Sequence, residues 1–184
     1  MLRALLFASA LLLAACSSYR GAAVVVVPPR AQPDLLLLDG VELERQAGSA
    51  DCGPTVLRMA LRRFGRELPP DEPPLVDGGA TMQSLRDAAR AHGCEAFVVR
   101  GRIDDLQEHL AKGRSLVVGL HKPFSDGIHR HYELIVGWHR GERYVLTADP
   151  ARGFTRVDEA GFLAEWEPAG CPLLLIAPSP TGKS

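Results

Sequence analysis

The chain of 184 residues can bury the core of one compact domain and is too short for several. Its 21 Lys and Arg stand against 22 Asp and Glu, a formal net charge of -1, and no basic run breaks that balance, which excludes the electrostatic footprint of a nucleic-acid-binding protein. An aromatic content of only 6%, with 18 Gly and 14 Pro, points to a loop-rich domain mixing helices and strands.

Arg3 precedes an apolar run from Ala4 to Ala15. That run falls short of the roughly twenty residues a bilayer span needs and has the dimensions of a secretory signal, here residues 1–15. It ends Leu13-Ala14-Ala15-Cys16, which resembles a lipobox, so Cys16 is the expected lipid attachment point. Ser17 rather than Asp follows, which by similarity to lipoproteins favours the periplasmic side of the bacterial outer membrane. Residues 16–34, with Pro28, Pro29 and Pro33, read as a semi-extended tether, and the folded domain is expected over residues 35–184.

Leu35 to Leu38 and Val41 to Leu43 read as a strand entering the core. Leu57, Ala60, Leu61 and Phe64 then follow helical spacing from Cys52 onward, with Pro54 in the first turn and Gly65 as the stop. Residues 66–79 hold four prolines and read as a loop. Thr81 caps a second helix over residues 82–92, stopped by Gly93. Beyond it come a strand at 95–100, a helix at 103–111, and strands at 115–120, 131–138 and 143–148, the last two joined by Arg140-Gly141-Glu142 as a hairpin. A strand at 154–157, a helix at 159–166 and a strand at 172–177 close the chain. Helices first and antiparallel strands later make an α+β fold, a helical lobe packed on a twisted sheet.

A thiol attacks as its thiolate, and a helix N-terminus favours negative charge; Cys52 opens the first helix. Gln46 lies six positions upstream, across Gly48 and Ser49, where a side-chain amide could fold back to stabilise an oxyanion. His131 opens the best-defined strand and suits a base held rigidly, while Asp149 ends the next strand. About a turn centred near Gly141 the two are nearly symmetric, so an antiparallel hairpin brings carboxylate to imidazole.

The Gln-x5-Cys-Gly-Pro element, the His-Tyr-x-Leu-Ile-x-Gly strand and the Ala-Asp-Pro turn together resemble the peptidase C39 family, from about Leu38 to the last strand. These are papain-like domains that remove double-glycine leader peptides from exported peptides. The resemblance implies Cys52 as nucleophile, His131 as general base and acid, Asp149 as the residue orienting His131, and Gln46 in the oxyanion hole. It also implies a peptide or protein substrate, with a secretion system as its setting. A papain-like cell-wall amidase and a degenerate peptidase acting as a binding module are the alternatives.

His121, His129, His131 and His139 lie close in sequence, but no Cys-x-x-Cys or His-Glu-x-x-His spacing accompanies them, so neither metal nor cofactor is expected. Asp126 and His129 read as a mobile loop beside the cleft. Cys94 and Cys171 both precede expected strands; they pair in a disulfide or remain as two buried thiols.

Overall fold

The structure is a computed structural model and describes residues 18–75 and 78–180; the expected signal peptide and Cys16 lie outside the described residues. In chain order the elements are β1 (Val24–Val25), β2 (Leu35–Leu37), α1 (Cys52–Arg62), α2 (Met82–Ala91), β3 (Cys94–Arg100), α3 (Ile103–Ala111) and β4 (Ser115–Phe124). They continue with β5 (Gly127–His139), β6 (Tyr144–Asp149), β7 (Gly153–Asp158), α4 (Glu159–Trp166) and β8 (Pro172–Pro178). The strands form one antiparallel sheet in the order β1-β7-β6-β5-β4-β8-β3, with β2 laid on β5. The fold is α+β, as the segregation of helical and alternating patterns implies.

Period-two alternation decides which side chain faces which layer. Val117, Leu134, Val136 and Leu146 join Leu57, Leu61 and Leu85 of α1 and α2 in one core cluster. Leu116, Val118, Ile135 and Val145 join Leu106 of α3 and Phe162 and Trp166 of α4 in a second. Leu57, Leu61, Leu85 and Leu134 are wholly buried, and each such side chain contributes about 2 kcal/mol of burial free energy. Helices therefore cover both faces of the sheet, α1 and α2 on one and α3 and α4 on the other. The apolar stripes of α3 and α4 leave no other place for them.

Three differences from expectation concern the connections. The tether expected over residues 16–34 is, from Ser18 onward, part of the fold: β1 pairs with β7, and the Val26 N–H donates to Phe154 O at 2.9 Å. Val41 to Leu43 does not continue the strand, because Asp39 and Gly40 turn the chain, Gly40 with φ 71°. Residues 121–130 are no loop; β4 and β5 run on as a two-stranded ribbon to Phe124 and Gly127, which places His129 on β5 and Asp126 in the turn.

Cys94 and Cys171 are free, buried thiols, so the disulfide is corrected to the alternative of two unbridged cysteines. Cys94 pairs with Pro178, whereas Cys171 adjoins Pro172, the partner of Arg100. The length of β3, about 20 Å at 3.3 Å per residue, separates them.

Candidate active site

Cys52 is the first residue of α1 and is 7% exposed. The turn before it is closed by its own side chain: Asp51 Oδ2 accepts the Gly48 N–H at 2.8 Å, and Asp51 O accepts the Thr55 N–H at 3.0 Å. Gly53 follows where a larger residue would crowd its neighbours; a Cβ there would lie 3.0 Å from the Ala80 Cβ and 3.2 Å from the Tyr132 ring. Tyr132 donates its hydroxyl to Ala80 O at 3.1 Å. The N-terminus of α1 is thus pressed against β5 next to His131.

His131 Nε2 is 2.7 Å from Asp149 Oδ1, and Cys52 adjoins the same imidazole in the wall of one cleft. Asp149 is fully buried and His131 11% exposed. The backbone N–H groups of Ala151 and Arg152 donate to the same carboxylate oxygen at 2.8 and 3.3 Å. The register differs slightly from simple symmetry. A shift between Ile135 and Gly137 pairs Leu134 with Ala148, so continuing the ladder sets Asp149 beside Glu133 and diagonal to His131. A two-residue offset keeps all three side chains on one face, which is why the bond still forms.

Burial is the largest influence on the His131 ring and opposes its charge. Hydrogen bonds to Asp149 and Cys52, with the negative charges of Asp149 and Glu133, outweigh it and raise the pKa to about 10. For Asp149 burial again opposes the charge, and the His131 hydrogen bond, the charges of His131 and Lys122 and the Ala151 N–H bring the pKa down to about 2.

Behind the pair lies a charge cluster that reading the sequence missed. Lys122, only 1% exposed, places Nζ 2.5 Å from Glu133 and 3.2 Å from Glu165. The other Glu133 oxygen accepts from Thr147 Oγ1 at 2.5 Å, and Thr147 lies 2.7 Å from Thr155. Desolvation works against the Lys122 charge, but the facing carboxylates hold it well above the usual lysine value. A signal was present: a carboxylate that adjoins the apolar run Leu134-Ile135-Val136 must be paired if it is buried, and Glu133 immediately precedes that run.

Ligand atoms of His131, Glu133 and Asp149 lie within 4.8 Å of one another. Since Lys122 already neutralises Glu133 and His131 is hydrogen-bonded to Asp149, the donor set suits proton transfer better than a cation. The other histidines are scattered. His129 faces Asp126 at the ribbon tip, and His139 Nδ1 accepts the Glu142 N–H at the far end of β5.

Gln46 is hydrogen-bonded within the loop that leads to Cys52. Its Nε2 donates to Gly48 O at 2.8 Å, and its backbone N–H donates to Pro150 O at 3.0 Å, which ties the loop to the Asp149 turn. Cys52 and His131 line a cleft of about 710 Å³ with Met82, Gly119, Arg130 and Tyr132. Gly119 keeps it open, since a Cβ there would come within 3.0 Å of Pro172.

Compared with known families, residues 41–181 match the sequence profile of the peptidase C39 family. The chain belongs to the peptidase C39 family. It is accordingly a cysteine peptidase by family, and the match takes in Cys52, His131, Asp149 and Gln46. Among solved C39 domains, the peptidase domain of Streptococcus ComA, a bifunctional ABC transporter involved in quorum sensing, is 20% identical with a TM-score of 0.62, over 76% of this chain and 100% of that one. A double glycine motif protease from an AMS/PCAT transporter, solved with its leader peptide, is 20% identical with a TM-score of 0.61, over 76% and 93%. A putative C39-like peptidase from Bacillus anthracis is 16% identical with a TM-score of 0.63, over 78% and 97%. These likenesses concern the C39 fold. No curated protein matches the chain in sequence.

Proposed function

We propose that this C39 domain is an endopeptidase that cleaves a peptide bond through a Cys52–His131–Asp149 triad. The observation that carries the reading is the imidazole of His131, hydrogen-bonded to Asp149 at 2.7 Å and sharing with Cys52 the wall of an open cleft. Asp149 takes Nε2, which leaves Nδ1 for the sulfur. The Cys52 sulfur, its proton passed to His131, attacks the carbonyl carbon, and the oxyanion forms at the N-terminus of α1, where backbone N–H groups point outward. The C–N bond breaks as His131 protonates the leaving amine, giving a thioester. Water, deprotonated by His131, then releases the acid and restores the thiol.

The substrate we propose is an exported peptide or protein with small residues before the scissile bond, a Gly-Gly pair in the simplest case. The presence of Gly119 and Pro172 in the cleft wall, where a Cβ on Gly119 would lie 3.0 Å from Pro172, supports this, as does the fold shared with a double glycine motif protease. We place the protein on the periplasmic side of the outer membrane, anchored through an acylated Cys16. Ser18 is already bonded to the domain, and two residues of extended chain reach only about 7 Å, so such an anchor would hold the domain close to the leaflet.

The test is a panel of double-glycine peptides offered to wild type and Cys52→Ala, alongside iodoacetamide labelling of Cys52 near neutral pH. Cleavage by the wild type alone supports the reading, and equal cleavage by both ends it. Digestion of purified peptidoglycan with no peptide cleavage would point to an amidase instead.

A further inference from the structure

We infer that residues 18–26 form a positioning strap for Asp149, acting through Tyr19 and Arg152. The inference deepens the peptidase reading and rests on it for the role of Asp149. The strap is stitched down at both ends. Ser18 and Ser125 exchange hydrogen bonds, each at 2.9 Å, and the Arg20 N–H donates to Pro123 O, also at 2.9 Å, which fixes one end on the β4–β5 ribbon. Pairing of β1 with β7 fixes the other.

Between these ends Tyr19 turns into the protein. Its hydroxyl donates to Glu165 and accepts the Ala23 N–H at 3.1 Å, and Lys122 stands 4.7 Å from its ring centroid. The Arg152 guanidinium stacks 3.8 Å from that centroid and donates from Nη2 to Ala23 O at 2.8 Å. Arg152 is thereby gripped twice: its side chain by the strap, its backbone N–H by Asp149 Oδ1. Asp149 is in turn the partner of His131. A carboxylate steadied by a two-residue turn is only as well placed as that turn, and the strap is what holds the turn's outer side chain.

The strap's small residues fit docking rather than spacing. A Cβ on Gly21 would lie 2.2 Å from both the Tyr19 hydroxyl and Glu165 Oε1, and a Cβ on Gly161 of α4 would lie 2.6 Å from the Ala22 Cβ. A mere spacer would have no reason to match α4 so closely.

The test uses the full-length chain, with Cys52 labelled by iodoacetate across pH and quantified by mass spectrometry of the Cys52 peptide. Iodoacetate is an anion that the imidazolium attracts, so its rate falls as His131 loses its proton. Tyr19→Ala and Arg152→Ala should each slow labelling near neutral pH by about tenfold and move the alkaline fall acidward by about one unit or more. Tyr19→Phe, which keeps a ring beneath the guanidinium, should recover most of the loss. If Tyr19→Ala does not fold, Arg152→Lys carries the test, because it keeps a cation near the ring but loses the planar donor. Variants with lower melting temperature and an unchanged pH profile would overturn the strap. A wild type with no alkaline fall would instead count against the peptidase reading itself.

Discussion

Asp149 reaches His131 diagonally across the β5–β6 pair, with Oδ1 at 2.7 Å from Nε2 and two backbone N–H groups on the same oxygen. The carboxylate is therefore set by its own turn before the imidazole arrives, and it spends no freedom on holding the ring. Most of what the site can do follows from that rigidity.

Replacing this carboxylate with an amide of the same shape tests it. Asp149→Asn should lower kcat/KM on a cleavable peptide by on the order of a hundredfold or more, with a much smaller change in KM. The pKa of His131 should fall from about 10 toward its ordinary value, which NMR of the ring protons can follow.

Folding stability should depend on pH through the same pair. The pKa of His131 is raised from 6.5 to about 10, so its contribution is complete below about 6.5 and is lost as pH climbs through 10. The pKa of Asp149 is lowered from 3.8 to about 2, so its contribution is complete above about 3.8 and is lost as pH falls through 2. Urea midpoints of wild type and His131→Ala should differ most between about pH 4 and 6.5 and converge toward pH 10. A gap that widens on the alkaline side would reverse the sign of the argument.

Gln46→Ala weighs the oxyanion role expected for Gln46 against the hydrogen bond its amide makes to Gly48 O. Its amide serves Gly48 and the turn leading to Cys52, so the loss in kcat should be about tenfold, short of the hundredfold or more that accompanies removal of an oxyanion donor. A full hundredfold loss would mean that the amide swings to the sulfur when substrate binds.

For the remaining thiols, reductant should leave the melting temperature unchanged, and alkylation after denaturation should label Cys94 and Cys171 in full without prior reduction. In the native protein Cys94 should label slowly, since burial pushes its thiol above the ordinary value, opposed in part by Arg66. A mass two protons light before reduction would restore the disulfide.

Much of this was legible in the chain. Periodicity marked α1, α2 and α3, and the antiparallel hairpin argument alone set Asp149 beside His131. Local signals failed where tertiary contact decides. Nothing within residues 18–26 shows that Tyr19 will find Glu165, more than a hundred positions away. Charged and polar residues at 121–130 look like a loop, because a two-stranded ribbon satisfies its backbone without an apolar core. The buried Lys122 was invisible until its partners converged, for a lysine in sequence carries no mark of burial. Gln46 shows the limit of spacing arguments: six residues permit a return toward the sulfur, but spacing does not reveal that the amide also bonds Gly48 O.

The central claim is that the Cys52 sulfur makes a covalent bond to the substrate carbonyl. Acid-quenched mass spectrometry during turnover of a cleavable double-glycine peptide tests it most directly. A thioester of the amino-terminal fragment on the Cys52 peptide, accumulating in wild type and absent in Cys52→Ala, is the result this account requires. Turnover at the same rate in both proteins, with no adduct on Cys52, would contradict it.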